Sequence, residues 1–214
     1  MDEKQQIVGG VVVPDTPVIA RAIELARRHS DAFLFNHAMR SWLFAERVAQ
    51  LQNAVHDAEV IAVGALLHDL GLTDSFPGPL RFEVEGANVA RSFAREQGFA
   101  ERRAQLVWDS VALNSTPSIA LHKEPEVALC TIGIVIDFGG DQHGQMRPEE
   151  VAGIVTAFPR LKMKRQFTAC ICGLVRARPG TTYDNFARDF GERFVPGYKA
   201  PSTVDFLLNS PFPE

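Results

Sequence analysis

Apolar residues recur every three or four positions along most of the chain, which is the spacing of one face of an α-helix. The clearest example is a set of positions that would share a single helix face: Leu34, His37, Ala38, Ser41, Ala45 and Val48. No run longer than about four residues alternates between apolar and polar positions, as a half-buried strand does. The pattern therefore predicts an all-α fold.

Residues typical of helix starts and ends divide the chain into about eight to ten predicted helices. Asp15-Thr16 offers capping side chains before Pro17, and Asp57 precedes the third helix in the same way. The predicted spans are approximately residues 17–28, 34–52, 58–70, 84–96, 100–113, 125–136, 149–157, 162–176, 183–193 and 203–208. Residues 1–13 are predicted to form a flexible tail that includes a short extended piece at Val11–Val13.

The chain is predicted to form a single domain over residues 1–214, because it has no repeats, no low-complexity segment and no long linker. The third helix is apolar on every side in the run VIAVGALL, so it should lie at the domain centre. Residues 33–140 carry the candidate site described below, and C-terminal helices follow over residues 149–209. One continuous core is expected to include Leu66, Leu67, Ile134 and Val135.

Composition and charge restrict the partners of the protein. The chain is 46% hydrophobic and 22% charged, with a net charge of -4 and no basic block, which argues against nucleic acids and anionic membranes. No apolar stretch approaches the ~20 residues that span a bilayer. Three cysteines in apolar runs indicate buried thiols in a reducing cytoplasm. A small-molecule substrate is the expected partner, and a homo-oligomer remains open.

Four residues stand out as potential metal ligands, because two of them are carboxylates in strongly apolar surroundings. His68-Asp69 ends the most apolar helix, and Asp137 follows the apolar run TIGIVI. A buried carboxylate costs several kcal/mol unless it is paired or binds a cation. Adjacent residues on a helix diverge by about 100°, so His68 and Asp69 can reach one ion only at the helix end.

With His37, which lies in mid-helix, these residues offer two imidazoles and two carboxylates. This set suits zinc, iron, manganese or cobalt. By residue type alone, an ordinary core or surface histidine remains the alternative for His37 and for His68.

The order His37, His68-Asp69, Asp137 resembles the H…HD…D signature of the HD metal-dependent superfamily. Further segments resemble those of its cyanamide hydratase-like branch, in the same order and over most of the chain from about Phe33 to Gly191. These segments are FNHAMRSWLF, LLHDLGLTD with RFEVEGANVA, FPRLKMKRQF and RPGTTYDNF.

The resemblance implies a single HD domain built as a helical bundle, with one divalent metal bound by His37, His68, Asp69 and Asp137. Zn²⁺ is the first expectation for this metal, with Fe²⁺, Mn²⁺ or Co²⁺ as alternatives. Cyanamide hydratases add water across a carbon–nitrogen triple bond and produce urea, and a metal lowers the pKa of such a water towards ~7. We therefore expect a metal-dependent hydratase or hydrolase that acts on cyanamide or a related nitrile.

Four side chains are candidates for supporting roles in catalysis. Asn36 adjoins a ligand and either orients substrate or makes a local hydrogen bond. Asp74 follows the His-Asp pair in a loop and is either an acid–base group or a loop cap. Glu83 begins the next helix and either faces the site or is solvated, while Asn114 either lies over the metal or forms a helix-end turn. The roles of Glu85, Thr116, His122 and His143 stay open.

The sequence is compatible with two other functions. The first is an HD phosphohydrolase acting on nucleotides, although Leu72 occupies the position where that branch expects an acidic residue. Arg40 and Arg81, which could bind phosphate, form no cluster in the sequence. The second is a non-enzymatic HD module that binds a ligand. The pocket is expected to be small and largely apolar, because helices rich in Phe, Leu and Trp42 surround the ligands, and this favours the carbon–nitrogen substrate since a nucleotide needs more polar surface.

Overall fold

The protein is described from a computed structural model over residues 4–140 and 146–212. In these residues a two-stranded hairpin precedes eleven α-helices, so the predicted all-α class is confirmed. The strands are β1 (Gln5–Val8) and β2 (Val11–Pro14). The helices are α1 (Pro17–His29), α2 (Ala32–Gln52), α3 (Ala58–Leu67), α4 (Phe82–Glu96), α5 (Glu101–Ala112), α6 (Pro117–Ala120), α7 (Pro125–Gly139), α8 (Pro148–Ala157), α9 (Met163–Ala177), α10 (Ala187–Phe194) and α11 (Thr203–Leu208).

Helix α3 lies at the centre of the fold, as its uniformly apolar sequence predicts. Every residue from Val60 to Leu67 is buried, and α3 packs against α1, α2, α4, α5 and α7. Asp57 caps the helix by accepting a hydrogen bond from the backbone N–H of Val60. The helix ends at Leu67 rather than at the predicted position 70, and a 3-10 turn over Leu70–Leu72 follows.

Helices α2 and α7 form the most extensive helix pair, and a glycine sets how closely they approach. A Cβ atom at Gly133 would lie 2.2 Å from the backbone oxygen of Ser41, so no larger residue fits there. Going one turn further along α7 and one turn back along α2 brings Asp137 beside His37. This close contact therefore positions two of the predicted site residues.

The extended piece predicted at Val11–Val13 is present as β2, but residues 5–8, predicted to belong to a flexible tail, form β1. Residues 5–14 form an antiparallel hairpin in which Val8 pairs with Val11, and Val11 and Val13 are buried in the core. Gly9 and Gly10 make the turn with φ of +57° and +85°, values that favour glycine. A Gly-Gly pair between two short apolar runs was the available hairpin signal.

The buried apolar residues form two clusters, so the expectation of one continuous core is also wrong. The larger cluster includes Leu66, Leu67 and Ile134. The smaller one joins the start of α2 to α9 and α10. Val135 was expected in the core but is 42% exposed, because it lies on the side of α7 that lines a pocket.

Among the remaining elements, α6 was not predicted, and α10 begins at Ala187 instead of Tyr183 because a 3-10 turn over Pro179–Thr181 precedes it. Cys130 and Cys172 are buried free thiols, and Cys170 is half-buried. Burial raises the pKa of Cys130 and of Cys170 to about 12, so both are protonated at neutral pH. None of the helices in residues 4–140 and 146–212 is long and apolar enough to cross a membrane.

Candidate metal centre

Three of the four predicted ligands converge where α3 ends. His37 projects from the second turn of α2, and His68 is the C-terminal capping residue of α3. Asp69 follows with φ of −102° and ψ of 8°, outside the helix, so that its side chain can turn back beside that of His68. Because α3 ends here, the side chains of His68 and Asp69 can both reach one metal ion, as predicted from their position at a helix end.

The converging atoms are spaced as metal ligands are. The Nε2 atoms of His37 and His68 lie 3.2 Å apart. Asp69 Oδ2 lies 3.2 Å from His68 Nε2 and 3.7 Å from His37 Nε2. In a tetrahedral site with bonds of about 2.1 Å, neighbouring ligand atoms are about 3.4 Å apart. All three side chains are buried.

The hydrogen bonds behind the two imidazoles direct their lone pairs to the same point. Nδ1 of His37 is 2.6 Å from Asp137 Oδ2, and Nδ1 of His68 is 2.8 Å from the carbonyl oxygen of Ala65. Each Nδ1–H therefore donates backwards, which leaves Nε2 of the neutral ring as an acceptor. Asp69 Oδ2 is buried without a well-formed hydrogen bond. Three acceptors that face one another fit a bound cation.

The charges of the cluster favour a positive ion at this point. Burial opposes the charge of His68, but the adjacent Asp69 carboxylate outweighs it and raises the pKa of His68. Burial also opposes ionised Asp69, yet His68 and His37 lower the pKa of this carboxyl. The pKa of His37 is lowered, mainly because the ring is buried. A divalent cation would satisfy a buried carboxylate and neutral rings together.

Asp137 lies behind His37 and not among the converging atoms. Arg40 donates to both of its oxygens, from Nε to Oδ1 at 2.6 Å and from Nη2 to Oδ2 at 2.8 Å, and Arg160 adds a bond to Oδ1 at 3.0 Å. Burial opposes the Asp137 charge, but the bonds from His37 and Arg40 hold its pKa well below the usual range. Asp137 thus orients His37, and its predicted role as a direct ligand stays a prediction.

A pocket of about 360 Å³ opens onto the three converging residues. It lies between the two apolar clusters, with Ile134 from the larger and Phe167 from the smaller. Its other residues come from three segments that are far apart in the sequence. They are Asn114, Ser115, Pro117, Val135, Phe138, Phe186, Asp189 and Phe190, together with Gly139.

Two of the predicted catalytic residues belong to this pocket or to its support. Asn114 lines it, and its Nδ2 donates to the carbonyl oxygen of Val111 at 2.7 Å. Glu83 is fully buried behind it and accepts a hydrogen bond from Ser115 Oγ at 2.6 Å. Arg81 and Asn185 also donate to the Glu83 carboxylate, at 2.9 Å and 3.2 Å. Glu83 therefore acts on the pocket through Ser115.

Asn36 and Asp74 lie outside the metal pocket, and their roles in catalysis stay predictions. Asn36 turns away from the ligands and donates to the carbonyl oxygen of Pro159 at 2.8 Å. Asp74 is exposed and lines a separate groove next to α9, because the 3-10 turn over Leu70–Leu72 leads the chain away from the metal pocket. Neither side chain is among the residues that line that pocket.

The four residues whose roles were open do not line the pocket where they are described. Glu85 accepts a hydrogen bond from the backbone N–H of Leu80, Thr116 is half-buried, and His122 is exposed. His143 lies outside the described residues. The sequence pattern did not single out Asp189, the hydroxyl of Ser115 or the particular phenylalanines that form the wall of the pocket. The spacing of Phe186, Asp189 and Phe190, which puts all three on one helix face, was the available signal.

Comparison with known families agrees with this geometry. The model of the HD domain family matches residues 34–158, which is more than half of the chain. The protein therefore belongs to the HD domain family, whose members are typically metal-dependent hydrolases, phosphohydrolases among them. All four predicted ligands fall within the matched residues. A search of curated proteins gave no significant match.

Proposed function

We propose that this HD-domain protein is a metal-dependent hydratase or hydrolase that adds water to a small carbon–nitrogen substrate, either cyanamide or a related nitrile. The observation that carries this proposal is the chemistry of the pocket beside the metal cluster. Its wall includes four phenyl rings, and no lysine or arginine side chain lines it among the described residues.

A phosphate ester would need positive side chains to bind its oxygens. The two arginines that the sequence offered for this task are already committed to carboxylates. Arg40 is fully buried against Asp137, and Arg81 donates to Glu83. This pairing supports a carbon–nitrogen substrate over a nucleotide.

Three atoms of the chain would bind the metal: Nε2 of His37, Nε2 of His68 and Oδ2 of Asp69. A bound divalent metal supplies a Lewis acid and lowers the pKa of water, which is the chemistry that hydration requires. We favour Zn²⁺, because two imidazole nitrogens and a carboxylate oxygen are typical catalytic zinc ligands. Asp137 keeps the His37 ring oriented through its bond to Nδ1.

The remaining residues of the pocket orient substrate and restrict water. Phe167 packs edge to face against Phe138 at a centroid distance of 5.4 Å and stacks with Phe186 at 6.1 Å, which makes a continuous apolar wall opposite Asn114 and Ser115. Cyanamide would lie along this wall with its amino N–H group towards Asn114 Oδ1 and Ser115 Oγ, which accept hydrogen bonds. Glu83 keeps Ser115 Oγ in one orientation and is a positioning residue.

The likeness to the cyanamide hydratase-like branch rests on more than the HD signature. The segments FPRLKMKRQF and RPGTTYDNF, which lie mostly or wholly beyond the matched family region, contribute Phe167 and Phe186 to the pocket wall. The segments that resemble this branch thus supply the side chains that would contact substrate. We also place the enzyme in the cytoplasm, on the support of its three free cysteines.

One assay tests the proposal. Zinc-loaded protein and a His68→Ala variant are incubated with cyanamide, with related nitriles and with nucleoside monophosphates, while urea, ammonia and phosphate are measured. We expect hydration of at least one nitrile by the wild-type protein and none by the variant. Metal-dependent release of phosphate without activity on any nitrile would contradict the proposal and establish a phosphohydrolase.

A further inference from the structure

The polar side chains of the metal pocket present hydrogen-bond acceptors. Asn114 uses its amide N–H groups on the carbonyl oxygens of Val111 and, more weakly, His68, so Oδ1 is the atom left for a ligand. Ser115 donates its hydroxyl hydrogen to Glu83, so its Oγ also offers lone pairs. The third polar group is the carboxylate of Asp189, which only accepts.

Asp189 stands at the mouth of this pocket. It is exposed, and it lines both the pocket and the neighbouring surface groove. Among the described residues it forms no salt bridge, and the adjacent Arg188, whose pKa is raised mainly by Glu192 and slightly by Asp189, bonds to Glu192 on α10. A free carboxylate beside an otherwise apolar wall is a site for a positive group.

The rings next to Asp189 suit the same kind of group. Phe186 and Phe190 lie three residues before it and one residue after it, and their centroids are 6.0 Å apart. Phenyl faces attract cations electrostatically, and cations with N–H groups can bind a neighbouring carboxylate at the same time. The start of helix α10 and the residue before it thus bring a carboxylate and two rings to the pocket.

The size of the pocket leaves room for a group beyond the reacting atoms. A volume of about 360 Å³ falls in the range of pockets that enclose drug-sized ligands. Cyanamide has only three heavy atoms and would occupy the part next to the metal cluster. The remaining volume has room for a longer substrate whose far end contacts Asp189.

We propose that the substrate carries a protonated nitrogen group with N–H bonds at its far end, either a primary ammonium, an amidinium or a guanidinium. Asp189 and the rings of Phe186 and Phe190 bind this group, while the reacting end lies at His37, His68 and Asp69. The inference rests on the proposed function for the reacting end. Asp189 is then the residue that determines specificity.

Guanidinium ion, at millimolar concentrations that do not unfold the protein, tests the inference without turnover. It has only N–H donors and no lone pair for a metal. We expect calorimetry to show guanidinium binding to the zinc-loaded wild-type protein and binding about tenfold weaker to Asp189→Asn. The matched control is Asp205→Asn, which removes a first-turn carboxylate from exposed helix α11 and should leave the affinity unchanged.

Tetramethylammonium separates N–H donation from positive charge alone, because it is a cation without N–H bonds. We expect it to bind at least several-fold more weakly than guanidinium to the wild-type protein. Equal binding of the two ions, absence of guanidinium binding, or equal loss in the Asp205→Asn control would each overturn the inference. If guanidinium binding depends on Asp189 but the protein is inactive on nitriles, the cation site is supported and the proposed reaction is refuted.

Discussion

The ring of His37 has one orientation because its Nδ1–H bonds to Asp137. Asp137 is oriented in turn by Arg40 and Arg160, which donate to the same carboxylate. Such support behind a ligand fixes its tautomer, and its removal typically costs 10–100-fold in metal affinity. For single residues, the orientation of the ligand His37 therefore depends on Asp137, and the orientation of Asp137 depends on Arg40.

We predict that Asp137→Asn binds zinc roughly 10–100-fold more weakly than the wild-type protein. The variant should also be less stable by about 3–5 kcal/mol, because Arg40 is fully buried and would lose its charge partner. Zinc affinity is measured by competition with a chelator, and stability by denaturant unfolding. The comparison is His68→Ala, which removes a converging nitrogen and leaves the Arg40–Asp137 pair intact.

An affinity loss in Asp137→Asn as complete as that in His68→Ala would argue that Asp137 binds the metal directly. An affinity equal to that of the wild type would contradict both roles. Comparing Asp137→Asn with His68→Ala thus tests whether Asp137, which lies apart from the cluster of His37, His68 and Asp69, binds the metal.

The start of α3 shows how a single element depends on its cap. Asp57 accepts from the Val60 N–H at 3.2 Å and from Arg103 Nε at 2.6 Å. Burial opposes the Asp57 charge, but these hydrogen bonds outweigh it, so the pKa of Asp57 is lowered. A lowered pKa adds stability above the unfolded value of about 3.9, and this stability disappears as the pH falls through the folded value.

We predict that Asp57→Ala destabilises the protein by about 1–2 kcal/mol at pH 7, because the helix loses its cap and Arg103 loses a partner. Asp57→Asn should cost less than about 1 kcal/mol, since asparagine also caps helices. The gap between the wild type and Asp57→Asn should narrow as the pH falls below about 4. Denaturant unfolding at pH 7 and below pH ~4 measures this difference in unfolding free energy. A difference that does not change with pH would contradict the Asp57–Arg103 ion pair.

Helices were more predictable than the hairpin, for a physical reason. Thr16 and Asp57 mark helix starts by side chains that bond to backbone N–H groups within three residues, so the signal is local. The strands β1 and β2 have four residues each, too few for alternation to be distinguished from chance. Their stability comes from burial of Val11 and Val13 against the domain, which the sequence does not display.

We predict that Val13→Ala destabilises the protein by about 1–2 kcal/mol, because Val13 is 1% exposed and loses two buried methyl groups. Val12→Ala is the matched control in the same strand. Val12 is 42% exposed, so its replacement should change stability by less than about 0.5 kcal/mol. Equal effects in thermal unfolding would mean that the hairpin does not pack on the domain in solution.

On the scale of the whole molecule, the convergence of His37, His68 and Asp69 was predictable and the pocket was not. His68-Asp69 and Asp137 were identifiable because carboxylates in apolar runs need a local explanation. Ser115 and Asp189, by contrast, meet in the pocket only after the two apolar clusters have packed together. Asp74 was misplaced because sequence proximity to Asp69 does not reveal the 3-10 turn over Leu70–Leu72 that leads it away.

Because the converging atoms come from α2 and from the end of α3, metal binding should stabilise the whole domain. A ligand at 100 times its Kd adds about 2.7 kcal/mol to a protein that binds it only when folded. For a chain of 214 residues this corresponds to a rise in Tm of roughly 5–10 °C. We predict this rise for zinc added to chelator-treated wild-type protein in calorimetry. His68→Ala should lose it, while His122→Ala, which replaces an exposed histidine outside the cluster, should retain it. A rise that persists in His68→Ala would locate the stabilising metal elsewhere.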